Sequence, residues 1–259
     1  MYNDELDVMI RACKEATKVI MEVYSRNFDV EIKSDNSPVT EADKKADAII
    51  RKILLENFPS YSLLTEESED DLERMKNDYL FVVDPVDGTK DFVKKDGMFT
   101  INVALVYKNK VVAGVVYVPC SDTYYYASKG DGAFKVTKDG TVTKIHVNDK
   151  ERDLTMLTSV FHVTDEEMEI YERHKDVISK IERYGSSLKA CKIAEGSAEL
   201  SFRLGPQTKE WDTAASQIIV LEAGGIFAKP DLSEITYNRE DVYNREGFII
   251  LNKKENLLK

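Results

Sequence analysis

The run Tyr79-Leu80-Phe81-Val82-Val83, followed by Asp84-Pro85-Val86-Asp87-Gly88-Thr89, constrains this chain more than any other stretch. An unbroken series of aromatic and aliphatic residues reads as a buried strand. Pro85 has no N–H to give a sheet ladder and Asp87-Gly88 is a turn signal, so the strand should stop where the carboxylates begin. Any fold built around this strand therefore brings two acidic side chains, three residues apart, to the edge of its core. Two such carboxylates repel each other and are costly to desolvate, and a divalent cation removes both penalties. Hard oxygen ligation of this kind suits magnesium or manganese. A solvated Asp-Gly turn is the plainer reading of an isolated D-x-x-D-G, so acids elsewhere in the chain matter.

Two further acidic sites stand at the ends of apolar elements. Leu63-Leu64-Thr65 runs into Glu66-Glu67-Ser68 like another strand tip. Glu210-Trp211-Asp212-Thr213-Ala214-Ala215 precedes Ile218-Ile219-Val220-Leu221 and Gly224-Gly225, the pattern of a helix opening near Asp212 and closed by glycine. An aspartate there could equally be an N-cap, and Glu66 and Glu67 could edge a solvated loop.

The rest of the chain divides by rhythm. Leu6, Ile10, Cys13, Thr17, Ile20 and Tyr24 recur at three and four, and Thr40-x-x-Asp43 looks like a capping box opening a second helix that stops near Pro59. Phe99–Tyr107 and Val111–Val118 flank Lys108-Asn109-Lys110 as a hairpin, and Thr123–Tyr126 and Ala133–Val136 flank a turn at Gly130-Asp131-Gly132. Strands and helices then alternate, with strands over Leu154–Val160, Ile181–Tyr184, Ala198–Phe202 and Gly247–Leu251. The intervening helices fall over Asp165–His174, Ser187–Ala194 and Asp212–Glu222. The expectation is an α+β half over residues 1–150, with helices on one face of an antiparallel sheet and most of the candidate ligands. An α/β half over residues 151–259 carries the last ligand.

Composition limits the partners. A formal net charge of −11 disfavours a long polyanion, which needs a basic face, but allows a small anionic substrate in a local positive pocket. No stretch approaches the roughly 20 apolar residues that span a bilayer, and the polar opening Met1-Tyr2-Asn3-Asp4-Glu5 argues against a secretory signal. Three cysteines without C-x-x-C spacing and three histidines without ligand spacing point away from a disulfide framework or a zinc site. The expected location is the cytoplasm, with peripheral association with the inner membrane left open.

Taken together, Asp84-Pro85-Val86-Asp87-Gly88-Thr89, Glu66-Glu67-Ser68 and Trp211-Asp212-Thr213-Ala214-Ala215 resemble a known signature set. It is that of the lithium-sensitive, magnesium-dependent phosphatases of the inositol monophosphatase superfamily, and the resemblance covers essentially the whole chain. Ser37-Pro38-Val39-Thr40-Glu41-Ala42-Asp43 resembles the family segment that carries a further carboxylate near the attacking water. Within the superfamily, several pieces resemble the 3′(2′),5′-bisphosphate nucleotidases, which remove the 3′-phosphate from 3′-phosphoadenosine 5′-phosphate. These are Asp87-Gly88-Thr89-Lys90-Asp91-Phe92, Gly185-Ser186-Ser187-Leu188-Lys189, Ala194-Glu195-Gly196 and Gly205-Pro206.

The resemblance implies a layered α-β-α-β-α sandwich with the metal site between the halves. It implies two to three Mg²⁺ ions, with Mn²⁺ as a substitute and Li⁺ inhibitory. Asp84 would bridge two ions, Glu66 and the Val86 carbonyl would complete the first, and Asp87 and Asp212 the second. Thr89 would position the attacking water with Asp43 as its partner, and the Gly88 and Thr89 amides would face the phosphate. Ser186, Ser187, Lys189 and Arg203 would hold the 5′-phosphate, and His162 would lie near the nucleotide. Another sugar phosphatase of the superfamily, such as an inositol monophosphatase or a fructose bisphosphatase, would share the metal ligands and differ in the pocket. An inactive nucleotide-binding module would have lost a carboxylate. Oligomeric state stays open.

Overall fold

A computed structural model describes residues 2–32, 38–70 and 72–258; Ser37 of the upstream Ser-Pro segment lies outside the described residues. Helix α1 (Asn3–Tyr24) buries Leu6, Met9, Cys13, Ala16, Ile20 and Val23, the face set by the spacing of three and four. An antiparallel pair, β1 (Val30–Ile32) and β2 (Pro38–Thr40), leads into α2 (Glu41–Asn57). Thr40 caps α2 as expected. Its hydroxyl accepts from the Ala42 N–H at 3.1 Å, and the Asp43 carboxylate accepts from the Thr40 N–H at 2.8 Å.

Seven strands follow in spatial as well as sequence order: β3 (Ser62–Thr65), β4 (Tyr79–Asp87), β5 (Thr100–Tyr107), β6 (Lys110–Val118), β7 (Thr123–Ser128), β8 (Gly132–Val136) and β9 (Val142–Ile145). β3 and β4 are parallel and every other pair is antiparallel. A short helix α3 (Thr89–Lys94) joins β4 to β5. The β5–β6 turn is two residues, one shorter than expected. Lys108 and Asn109 both take positive φ (48° and 65°), which matches the twist of the strands, and Lys110 already belongs to β6.

The second sheet holds β10 (Leu154–Ser159), β11 (Ile178–Tyr184), β12 (Leu200–Arg203), β13 (Ile226–Ala228) and β14 (Phe248–Leu251), in the order β11-β10-β12-β14-β13. β10 runs parallel to β11 and β12, and β12, β14 and β13 are antiparallel. Helices α5 (Leu188–Ala194) and α6 (Glu210–Glu222) share one core with both sheets, while α4 (Asp165–Arg173) packs its Ile170 on the outer face with Leu154, Met156, Leu200 and Ile249. The layers therefore run α-β-α-β-α. Among the described residues no helix is long and apolar enough to cross a membrane.

Within the first half, α1 and α2 lie on one face of the first sheet, as the sequence suggests, and α5 and α6 from the second half cover the other, as the layered sandwich implies. Phe81, Val83, Ile101, Val103 and Leu105 pack beneath α1 and α2, whereas Leu80, Val82, Ala104, Val106 and Val116 pack on α5 and α6. The unbroken apolar run in β4 is the sequence correlate of a strand buried on both sides. α6 comes unusually close. A Cβ on Gly114 of β6 would stand 2.6 Å from Ile218 Cγ2 and 2.7 Å from the Ala215 carbonyl oxygen, so only glycine fits there. At its far end, the Glu222 carboxylate accepts from the Gly130 and Gly132 N–H groups, both at 2.9 Å, tying α6 to the β7–β8 turn.

Candidate active site

Register brings the carboxylates together. Because β3 is parallel to β4 with Thr65 opposite Val83, Glu66 leaves its strand beside the point where Asp84 begins, and its N–H donates to the Val83 carbonyl at 3.3 Å. Against β5, β4 is in register at Asp84↔Asn102 and again at Asp87↔Thr100, so Pro85-Val86 forms a bulge with one extra residue. The Val86 N–H turns back onto Asp84 Oδ1 at 3.0 Å. From the other half, α6 begins at Glu210 and not at Asp212. Asp212 is its third residue rather than its N-cap, and its Oδ2 accepts from the Lys209 N–H at 2.6 Å. One carboxylate oxygen from each of Asp84, Asp87 and Asp212 lies within 4.8 Å of the others.

These groups are strongly perturbed. Burial raises the Asp84 carboxyl well above the usual range, and Glu66, Asp87, Asp212 and Asp43 raise it further. Burial raises Asp87 too, against the lowering effect of Asn102, Lys189 and Ser187. Burial, then Asp87 and Glu66, push Asp212 up to about 8. Desolvated carboxylates crowded this closely, with burial raising Asp84, Asp87 and Asp212 and mutual repulsion adding to the rise in Asp84 and Asp212, fit a hard divalent ion, which supplies positive charge to an all-oxygen donor set. Glu66, Asp84, Asp87 and Asp212 could hold it.

A pH prediction follows. A carboxyl whose folded pKa exceeds its unfolded value binds its proton more tightly when folded. Its stabilising contribution is complete below about pH 4 and is lost as pH rises through the folded value. For Asp212 that loss runs up to about 8. A divalent ion bound to the ionised cluster compensates it, so saturating Mg²⁺ should raise Tm more at about pH 8 than at about pH 5.5. Calorimetry with and without chelator measures this, and an increment independent of pH would remove these carboxylates as ligands.

Asp87 is held by its neighbours. Its Oδ2 accepts from the Ser187 N–H at 2.8 Å, Asn102 Nδ2 at 3.0 Å and Thr100 Oγ1 at 3.2 Å. Ser187 was expected to help hold the 5′-phosphate. Instead the amide goes to Asp87, while the hydroxyl accepts from Asn102 Nδ2 at 2.9 Å and donates to the Asp212 carbonyl at 3.3 Å. Neither Thr100 nor Asn102 was singled out from sequence. The available signal was a buried polar pair in an otherwise apolar strand.

Thr89 opens α3 directly after Gly88, whose φ is +89°. The Thr89 hydroxyl lies 3.3 Å from Asp43 Oδ1 and 3.2 Å from the Val86 carbonyl oxygen, and can donate to either. Burial pushes the Asp43 carboxyl up, against the hydrogen bonds from Thr40, with Glu66 adding to the rise. On either side of Glu66 in the chain, a partly buried network missed in the sequence joins the Thr65 hydroxyl to Asp47, and Arg51 to Ser68.

One cleft of about 740 Å³ joins this acidic end to a basic wall. It is lined by Glu66, Asp84, Val86, Asp87, Gly88, Thr89, His162, Ser186, Ser187, Lys189, Arg203 and Asp212; of the candidate site residues, Asp43 alone sits behind the lining, against Thr89. Ser186 adopts φ +46°, and its buried hydroxyl has no hydrogen-bond partner among the described residues. Gly185 is required for the loop to seat. A Cβ there would lie 2.5 Å from both Asp91 Oδ1 and the Met98 carbonyl oxygen. Lys189 Nζ donates to the Ser186 and Tyr184 carbonyls at 2.8 and 3.1 Å, and burial lowers its pKa to about 8 despite the nearby Asp87. Arg203 is buried, donating to the His162 carbonyl and to Gln207 Oε1, with Glu167 Oε1 3.8 Å away. Glu195, from the Ala194-Glu195-Gly196 motif, does not line the cleft. It accepts from Lys135, Lys192 and Tyr125 at 2.6 to 2.8 Å and joins α5 to β7 and β8.

This layered fold with carboxylates converging between its sheets is that of a metal-dependent phosphatase family. Residues 2–257 match the inositol monophosphatase family, to which the chain belongs. The chain is similar to the 3′(2′),5′-bisphosphate nucleotidase CysQ of Buchnera aphidicola, 39% identical over 228 residues that cover 87% of this chain and 84% of that protein. It is also similar to the Escherichia coli K12 protein of the same name, 35% identical over 94% of this chain and 98% of the other. Among solved structures, CysQ from Bacteroides thetaiotaomicron superposes with a TM-score of 0.82 at 32% identity, covering 98% of this chain and 99% of that one. An inositol monophosphatase from Thermotoga maritima gives 0.80 at 28% identity, covering 96% and 92%.

Proposed function

We propose that this chain is a Mg²⁺-dependent 3′(2′),5′-bisphosphate nucleotidase that converts 3′-phosphoadenosine 5′-phosphate to AMP and phosphate. The observation that carries the reading is the two-ended cleft. An acidic end suited to metals shares one cavity with a wall bearing Lys90, Lys189 and Arg203. A monophosphate needs only the first end, whereas a bisphosphate fills both. A volume of about 740 Å³ lies in the range that accepts a mononucleotide.

Glu66, Asp84, Asp87 and Asp212 would hold divalent ions, which when bound would supply the positive charge that lets a phosphate dianion accept an oxygen nucleophile. The chain's own groups orient and deprotonate. Thr89 Oγ accepts from the attacking water while its own proton points to Asp43 Oδ1. The raised affinity of buried Asp43 for a proton makes it a stronger base than an exposed carboxylate. The Gly88 and Thr89 amides face the phosphate. Ser186, Lys189, Arg203 and His162 form the other end, and Ser187, whose amide donates to Asp87, supports the metal end. Mn²⁺ would be expected to substitute for Mg²⁺, and Li⁺, with half the charge, would be expected to compete for the same carboxylates and inhibit.

A phosphate-release panel tests the reading. 3′-Phosphoadenosine 5′-phosphate should be preferred over inositol 1-phosphate and fructose 1,6-bisphosphate, and Li⁺ at limiting Mg²⁺ should slow it. Lys189→Ala or Arg203→Ala should lower kcat/KM for the bisphosphate by roughly 10- to 150-fold, the range for a charge-assisted hydrogen bond. The loss on 3′-AMP should be much smaller. Equal losses on both would assign Lys189 and Arg203 to support of the loop, and preference for inositol 1-phosphate would overturn the nucleotidase reading.

A further inference from the structure

The two cations expected at the second phosphate are already engaged: Lys189 with the carbonyls of Tyr184 and Ser186, Arg203 with the His162 carbonyl, Gln207 and Glu167. Lys90 differs. It is exposed on α3, lines the cleft, and among the described residues makes no ion pair. Its Nζ lies 3.3 Å from Nε2 of His162, so it reaches from the metal-bearing half across to the loop after β10. Beside it, Lys94 Nζ stands 4.1 Å from the Phe161 ring centroid, a second link between α3 and that loop. Burial, together with Lys90, Arg203 and Lys189, lowers His162 to about 4, so at neutral pH the imidazole is uncharged and Nε2 can accept from the ammonium.

We propose that Lys90 is a specificity-determining residue that rests on His162 in the free protein and transfers its ammonium to the non-scissile phosphate when a bisphosphate fills the cleft. This inference rests on the nucleotidase reading and adds the group that senses the second phosphate. An ammonium held by a neutral imidazole gives up a weak partner for a dianion. Lys189 and Arg203 would have to release carbonyls, or share donors with them, to do the same. A lysine, as a mobile point charge on a flexible stem, suits this task. Because Lys90 is exposed, its attraction for phosphate is screened by salt, and that separates it from a structural role.

The test compares wild type, Lys90→Met and Lys90→Arg as Mg²⁺-loaded enzymes. Lys90→Met should lose on the order of 10-fold in kcat/KM with 3′-phosphoadenosine 5′-phosphate, chiefly through KM, and several-fold less with 3′-AMP. Lys90→Arg should recover most of the loss. Titration calorimetry with AMP, which carries only the second phosphate, should show a parallel loss of affinity in Lys90→Met. The gap from wild type should narrow as ionic strength rises from about 0.05 to about 0.5 M. A wild type without preference for the bisphosphate overturns the nucleotidase reading and this inference together. A wild type with that preference and a Lys90→Met enzyme that keeps it overturns the inference alone, as do equal losses on the two nucleotides.

Discussion

Replacing Asp84 with asparagine is expected to lower kcat/KM by about a thousandfold, roughly 4 kcal/mol of transition-state stabilisation, while raising the thermal stability of the metal-free protein. Asp84 is 1% exposed, and its carboxyl faces Glu66, Asp87, Asp212 and Asp43. Asparagine keeps the shape, and its carbonyl oxygen can still accept from the Val86 N–H that now meets Asp84 Oδ1 at 3.0 Å. What disappears is one negative charge. Without metal that charge is a burden to the fold, and with metal it holds the ion. The two effects therefore have opposite signs, which a general folding defect cannot imitate. Phosphate release in saturating Mg²⁺ and Tm in chelator measure them. Turnover near wild type, or a lower metal-free Tm, would end the assignment of Asp84 as a ligand.

Glu210→Ala should destabilise the protein by about 3–5 kcal/mol, because it leaves buried donors without their acceptor. Glu210 is completely buried at the start of α6. Its carboxylate accepts from the N–H groups of Asn238 and Arg239 at 2.8 and 2.9 Å and from Arg239 Nε at 3.0 Å. Burial still leaves its pKa above the ordinary value, against those hydrogen bonds. The contacts pin the first turn of α6 to the loop before β14, and Asp212 is in that turn. Activity should fall with stability as Asp212 loses its position. Urea denaturation gives the first quantity, and a variant within about 1 kcal/mol of wild type would show that the anchor lies elsewhere.

Local physics was legible along the chain. The apolar face of α1, the Thr40–Asp43 box on α2 and the β5–β6 and β7–β8 turns depend on residues a few positions apart, and spacing reported them. The short strands β9 and β13 were missed. At four and three residues each they offer too few positions for a period of two to register, and they exist because a neighbour supplies the ladder. The Ala194-Glu195-Gly196 motif was noticed for its resemblance to nucleotidases, yet its glutamate holds Lys135, Lys192 and Tyr125 outside the cleft. A motif records that a residue matters and does not say whether it touches substrate or scaffold.

By itself, the sequence determined that acids stand where apolar elements end. Asp84 and Asp87 follow an apolar run that proline and glycine terminate, and Glu66 follows Leu63-Leu64-Thr65. Only the tertiary structure decided that these ends meet. The parallel β3–β4 register sets Glu66 beside Asp84, the bulge at Pro85-Val86 turns Asp87 onto Asn102 and Ser187, and α6 crosses beneath the first sheet to deliver Asp212. It also decided that Ser187 serves Asp87 and that Lys90 reaches His162. The physical reason is that electrostatic and hydrogen-bond energies depend on separation in space. Propensity and periodicity act over a few residues of chain, whereas a carboxylate's pKa and partners are set by groups that only folding brings within a few ångströms.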